Sequence, residues 1–204
     1  MLMQSPDIRV QKNCRRIQAA FVQLVLATDF DHVSVAAICR NAEVNRSTFY
    51  AHYQDKYELL AEITSAFETE FSAQIESCLL QAPAQRRVSM KATFEQIVPQ
   101  LSLLQMILRI DDQLPRNQQT TRGVFLNAYE CAQAKEQKQV SASKQRFYAN
   151  VFAASAVESI LWWLEEGATV ENCGFVADTI VDCMADEVTD RQVKQRLKID
   201  RSIQ

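Results

Sequence analysis

The sequence predicts an all-α fold, and three observations carry that prediction. Gly and Pro are scarce, three and four among 204 residues, so few positions interrupt a helix. Apolar residues recur at threes and fours over long stretches, the spacing of one helix face. No β-branched or aromatic run bounded by turn residues reads as a strand. At 48% hydrophobic residues the chain can bury one sizeable core, or join a small domain to a larger one. The pattern suggests about nine helices: a small three-helix unit, a long connecting helix and a larger helical body.

The first helix is expected over Ile8 to Ala27, with Ile17, Ala20, Phe21, Leu24 and Val25 as its apolar stripe. Arg9, Lys12 and Arg16 gather toward its start, where cations oppose the helix dipole; a solvated face or a nearby phosphate backbone would explain them. Thr28 to His32 breaks the helix, with Phe30 tucked beneath. Ser34 is an N-cap for a second helix whose apolar face is Val35, Ile38, Cys39 and Ala42. Glu43, Val44 and Asn45 form a turn, with Val44 pointing inward and Asn45 capping a third helix. Phe49 and Tyr53, four apart, should pack inward and leave Arg46, Ser47, Thr48, Tyr50, Ala51 and His52 to face outward. Two short helices with a tight turn, the second polar and little buried, make a helix-turn-helix whose second helix enters the major groove of DNA.

Asp55 should cap a fourth, long helix carrying Leu60, Ile63, Phe67, Phe71, Ile75 and Cys78 and reaching toward Leu80. Pro83 ends it. Beyond lie Phe94, Ile97 and Val98, then Pro99, then an apolar run from Leu101 to Leu108. Residues 111–115 read as a loop. A helix follows with Val124, Phe125, Ala128, Tyr129 and Ala132, and Gln133 to Arg146 reads as its solvated end or a connection. Phe147 to Glu166 is the most apolar helix, closed by Gly167 at a C′ position. Asn150, Ser155, Glu158 and Ser159 interrupt it, which favours a buried helix over a membrane span. Trp162 and Trp163 are neighbours and must point in different directions. A last helix begins after Gly174, with Val176, Ile180, Val181, Met184 and Val188 on one face and Asp178, Asp182 and Asp186 on another. The domains expected are 1–54 for the helix-turn-helix unit, 55–188 for the body, and 189–204 for a charged tail.

Charge and cysteine usage narrow the function. The net charge of −3 is not that of a bulk nucleic-acid binder. Residues 1–57 nevertheless carry seven Lys and Arg against five Asp and Glu, a basic head on an acidic body. Six cysteines are scattered without a C-x-x-C pair, as in a reduced cytosol, and the first twelve residues hold no apolar run of a signal peptide. A cytoplasmic protein without membrane contact is expected. A redox-sensing cysteine is a lesser reading. There is no Gly-rich phosphate loop and no metal-spaced His/Cys cluster, and the two histidines have no evident nucleophile. No catalytic residue, metal or cofactor is expected.

Ile38-Cys39, Ala42-Glu43-Val44-Asn45, Tyr50-Ala51-His52-Tyr53, Lys56 and Leu59-Leu60 resemble the DNA-binding head of the TetR family of bacterial regulators. The likeness covers about residues 8–63, and the run Asn45 to Tyr53 is similar to the branch that includes the dihydroxyacetone-kinase regulator DhaS. Two positions depart from the pattern. Glu43 stands where the turn Gly is usual, so a non-Gly residue would take a positive φ at about 1–2 kcal/mol. Asn45 replaces the usual Ser N-cap and is chemically equivalent.

The resemblance implies double-stranded DNA as partner. Ser34 and Asn45 sit at helix N-termini and Tyr50, His52 and Lys56 match backbone-touching positions, while Arg46, Ser47, Thr48 and Ala51 lie where bases are reached. A bidentate grip of Arg46 on guanine would give about 1–3 kcal/mol of discrimination. It also implies an α-helical dimerisation and ligand-binding body. Residues 147–167 resemble the penultimate helix of such bodies, and a homodimer interface is expected through Phe152, Ala156, Ile160, Trp163, Val176, Ile180 and Met184. A small apolar or aromatic effector would be lined by Phe94, Ile97, Met106, Phe125 and Tyr129, although all five are also ordinary core residue types. The reading is a repressor on a palindromic operator; the alternative is a DhaS-type adaptor or coactivator whose body binds a protein.

Overall fold

The computed structural model describes residues 8–114, 119–136 and 141–184. Among them the chain is all α: α1 (Ile8–Thr28), α2 (Val35–Ala42), α3 (Arg46–Tyr50), α4 (Lys56–Leu79), α5 (Pro83–Ile97), α6 (Leu101–Asp111), α7 (Thr120–Glu136), α8 (Ala142–Glu165) and α9 (Cys173–Met184). Short 3-10 turns occupy Phe30–His32 and Val98–Gln100. The expected all-helical fold with about nine helices is what forms. The tail from 189, with Asp186 and Val188, and the side chain of Arg9 lie outside the described residues.

The chain divides into two compact units, and not at the boundary read from the sequence. The first is Met1–Thr69 with Gln100–Pro115; the second is Glu70–Pro99 with Arg116–Gln204. The division falls inside α4, and α6 groups with the N-terminal helices because it packs on α1. Periodicity shows that α6 has an apolar face but not which helix covers it.

In the first unit α1 buries Ile17, Ala20, Phe21 and Val25 on one stripe, α2 buries Ile38, Cys39 and Ala42, and Phe49 and Tyr53 are buried beside them. Phe30 lies edge-on to Phe21 at 6.1 Å, under the break after α1. Three details differ from the sequence reading. Tyr53 stands beyond the end of α3, in the turn that follows it. At the start of α4 Leu59 is fully buried and Leu60 half-buried, because Leu59, four residues before the buried Ile63, continues the same stripe. Pro83 does not merely end a helix: it is the first residue of α5, where its missing N–H costs nothing.

The second unit is a bundle in which α7 packs on α8, α8 on α9, and α5 on α9. Ala149, Ala153 and Ala156 are fully buried and let α8 approach its neighbours closely. Phe94 meets Trp163 edge-on at 5.4 Å, while Phe125 lies between Phe71 and Phe152. The Trp163 indole N–H donates to Asn172 Oδ1 at 2.6 Å, which satisfies the polar atom of a fully buried ring. Helix α8 starts at Ala142, so Ala142 to Arg146 are its first turn and a half, not a connection. Its end is a Schellman motif: Gly167 N–H donates to Leu164 O, Ala168 N–H to Trp163 O, and Gly167 takes φ 82°. Helix α9 opens at Cys173, two residues before the start expected after Gly174.

The seven residues expected to face a partner subunit belong to the core of this unit. Phe152, Ala156, Ile160, Trp163, Val176, Ile180 and Met184 are all buried within the chain itself. The exposed apolar row of α8 is Phe147, Val151 and Trp162, four to eleven residues apart on one face, and Trp162 meets the exposed Phe175 of α9 at 5.1 Å. An apolar helix has two apolar sides, and spacing does not say which one the chain keeps for itself. By length and composition α8 could cross a membrane, but its other side is the core of this bundle.

Candidate nucleic-acid interface

The candidate surface is built on α1, α2 and α3. Ser34 N-caps α2: its Oγ accepts from Ala37 N–H at 3.2 Å. The remaining first-turn N–H groups of α2 have no helical acceptor and concentrate positive partial charge there. At its other end α2 closes in a second Schellman motif, Glu43 N–H to Arg40 O and Val44 N–H to Cys39 O. Glu43 takes φ 52°, ψ 44°, the left-handed conformation expected where the usual Gly is missing. Its carboxylate pairs with Arg16 of α1, so the strained turn is tied to the first helix.

Helix α3 has only five residues and no independent stability at that length. It is held from below. Phe49 is fully buried and packs on Tyr53 at 5.6 Å. The Tyr53 hydroxyl donates to Glu62 at 3.0 Å, and Gln18 donates to the same carboxylate at 3.0 Å. Burial, and then the Glu62 hydrogen bond and charge, raise the Tyr53 pKa above its ordinary value. Burial likewise pushes up the Cys39 thiol, an effect that the charge of Arg46 partly offsets. Above this base Asn45, Arg46, Ser47, Tyr50 and Ala51 are exposed, and Thr48 and His52 are half-buried. Tyr50 is 56% exposed despite lying edge-on to Phe49.

Residues 17–63 match the family described as bacterial regulatory proteins, tetR family. The match covers the three-helix head and the start of α4. No curated protein matches the chain in sequence. Solved structures are similar over nearly the whole described fold. SmeT, the repressor of the Stenotrophomonas maltophilia multidrug efflux pump SmeDEF, has a TM-score of 0.61 at 17% identity, covering 88% of this chain and 90% of that one. A TetR transcriptional regulator from Streptococcus agalactiae has a TM-score of 0.56 at 23% identity, covering 85% and 96%. The dihydroxyacetone kinase operon activator DhaS has a TM-score of 0.52 at 19% identity, covering 87% and 96%. At these identities the likeness establishes the shared fold.

Two of the residues singled out in the tetR-type head behave otherwise than expected. Asn45 holds the N-cap position of α3 but its side chain makes no capping bond; with five residues to cap, the side chain stays outward. Lys56 was expected to reach outward to a phosphate. Its ammonium instead donates to Phe30 O at 2.8 Å and Asp31 O at 3.1 Å, and lies 4.5 Å from the centroid of the Phe30 ring. The start of α4 is equally committed. Asp55 accepts from Tyr57 and Glu58 N–H at 2.8 and 2.9 Å, and Glu58 accepts from Gln54 N–H at 2.5 Å. Two carboxylates there disfavour an anionic ligand. Of the three helix starts in this region, that of α2 is the one suited to phosphate.

The five residues expected to line an effector pocket are all buried, but they do not share one unit. Phe94, Ile97, Phe125 and Tyr129 belong to the second unit, Met106 to α6 in the first. Tyr129 and Phe152, 5.2 Å apart, extend the aromatic cluster around Phe125. Among the described residues no group of three or more His, Cys, Asp or Glu could hold a metal. Cys39 and Cys78, expected on apolar stripes, are buried, as is Cys173, while Cys131 and Cys183 are exposed.

Proposed function

We propose that this chain is a TetR-type transcriptional repressor that binds a palindromic operator as a homodimer in the cytoplasm. The observation that carries the reading is α3. A five-residue helix anchored through Phe49 turns Arg46, Ser47, Tyr50 and Ala51 to solvent, in a head that matches the tetR family. Base reading falls to Arg46, Ser47, Thr48 and Ala51, with Arg46 suited to a bidentate contact with guanine. Phosphate contacts fall to Tyr50, His52, Asn45 and the N-terminus of α2 at Ser34. Lys56 positions the head instead of touching DNA.

One head reads a few base pairs, so a second copy is needed about 34–36 Å away along one DNA turn. The exposed row of Phe147, Val151, Trp162 and Phe175 supports pairing through α8 and α9. The buried aromatics Phe94, Phe125 and Tyr129 support release by a small apolar or aromatic effector taken up in the second unit. Such an effector acts only if it binds one state of the dimer better than the other.

Selection of bound duplexes from genomic fragments by the purified protein tests the reading. A palindromic consensus is expected, with Arg46→Ala relaxing preference at one position of each half-site. Failure to enrich any sequence would sink the DNA-reading function and favour the adaptor alternative.

A further inference from the structure

The connector between α1 and α2 aims the reading helices, and it is held by a residue from far outside the matched head. Asp29, the first residue of this connector, takes φ 99°, ψ 149°, a region essentially reserved for Gly. At the end of α1 the Thr28 hydroxyl donates to Leu24 O and Asp29 N–H to Val25 O, but α1 has no basic residue in its last turn and Leu26 O, in that same turn, needs a donor from elsewhere. One side chain answers both needs. Arg109 of α6 donates through Nη1 to Leu26 O at 2.7 Å and pairs through Nη2 with Asp29 Oδ1 at 2.5 Å.

The fork geometry of guanidinium is what allows a carbonyl and a carboxylate to be fixed at once. The Arg109 and Asp29 side chains are 41% and 44% exposed, so the pair adds little bulk stability. Its content is directional. Downstream the connector is continuous: His32 N–H donates to Asp29 O at 3.2 Å, Val33 N–H to Phe30 O at 3.1 Å, and Ser34 then caps α2. Lys56 grips Phe30 O and Asp31 O from α4. Two cations from two other helices therefore hold Leu26 and the three consecutive residues Asp29, Phe30 and Asp31.

We propose that Arg109 is a positioning residue for DNA reading: by fixing Asp29 and the end of α1 it sets the direction in which α2, and α3 packed on it, leave α1. This rests on the DNA-reading function proposed above. It assigns to α6, outside the family match at 17–63, a part in operator affinity.

The test uses the full chain and the duplex selected by the wild type. Arg109→Ala, Asp29→Asn and the double variant are compared by fluorescence anisotropy across salt concentrations, with thermal melting on the same samples. Each single variant should bind about tenfold more weakly, the change corresponding to one charged hydrogen bond. The double variant should be no weaker than Arg109→Ala alone, because Asp29→Asn removes only the pair that Arg109→Ala has already taken away. The salt slope should not change, since no phosphate contact is lost, and Arg109→Lys should recover part of the affinity. Binding of Arg109→Ala within twofold of wild type overturns the proposal. So does a slope shallower by about one, which would make Arg109 a phosphate ligand. A deficit that disappears well below the melting temperature of each variant overturns it too. Should Arg109→Ala not fold, Asp29→Asn, which leaves the Leu26 contact in place, decides by the same criteria. A wild type that selects no DNA would instead remove the function on which the inference rests, whereas a selecting wild type with unaffected variants removes the inference alone.

Discussion

Lys56→Ala separates two roles that the sequence cannot. If the ammonium holds the connector, its removal takes away two charged hydrogen bonds and one ring contact. A hydrogen bond from a charged donor contributes about 1.5–3 kcal/mol when well shielded. The Phe30 carbonyl bond is only partly buried and the Asp31 bond is exposed, so solvent takes back roughly half of each. The cation over Phe30 adds about 0.5–1 kcal/mol. Water can rehydrate both carbonyls after the substitution, which leaves an expected loss of about 2 kcal/mol. Native-state amide exchange at Val33 and Ile38, on either side of the Ser34 cap, reads this locally. Both should exchange about thirtyfold faster if their protection depends on the connector. Operator affinity should fall while the salt slope stays within a few tenths of wild type. Exchange unchanged within twofold, together with a slope shallower by about 0.9, would refute the clasp and restore Lys56 as a phosphate ligand.

Three further outcomes follow from the geometry. Tyr53 has a folded pKa raised above the ordinary value near 10, so the native state retains its proton longer than the unfolded chain. That contribution is fully present below about pH 10 and is lost as pH rises above it; urea titrations from pH 9 to 11 should show the head weakening, and Tyr53→Phe should remove the slope. At Glu43, Gly relieves about 1–2 kcal/mol of left-handed strain but costs about 0.5–1 kcal/mol in unfolded-chain entropy, so Glu43→Gly should exceed Glu43→Ala in head stability by roughly 0.5–1 kcal/mol. Both lose the exposed Arg16 pair, and equal stabilities would contradict the strain. Phe175→Asp should weaken self-association at least about thirtyfold by sedimentation, as truncation of a central aromatic anchor does. An unaltered dimer would show that Trp162 and Phe175 lie outside the interface.

Local signals were legible where one residue decides the backbone. Ser34, Asp55 and Gly167 mark helix ends by their own chemistry, and each makes the bonds its position calls for. Glu43 was legible as strained because it stands where the resembled pattern has Gly, and it takes φ 52°. What could not be read depends on partners distant in sequence. Arg109 and Asp29 are separated by eighty positions, and nothing in either neighbourhood announces the other. Lys56 looks like any exposed cation until the 3-10 turn at Phe30–His32 brings two carbonyls to it. The burial of the residues expected at a dimer face has a similar origin: α8 is apolar on both sides, and only α7 and α9 determine which side is spent internally. Met106 was grouped with Phe94 on residue type alone, which carries no information about the unit a helix joins.

The neighbouring tryptophans of α8 give the chain two built-in optical reporters. They are its only two indoles. Trp163 is fully enclosed with its N–H hydrogen-bonded, so its emission should be blue-shifted and resistant to quenchers. Trp162 is 41% exposed beside Phe175, so it should emit to the red and be reached by iodide. A Trp162→Phe protein then carries a single lamp inside the bundle, and a Trp163→Phe protein one on its apolar outer row. Unfolding and subunit association, which ordinarily blur together in a fluorescence trace, become separable in adjacent residues.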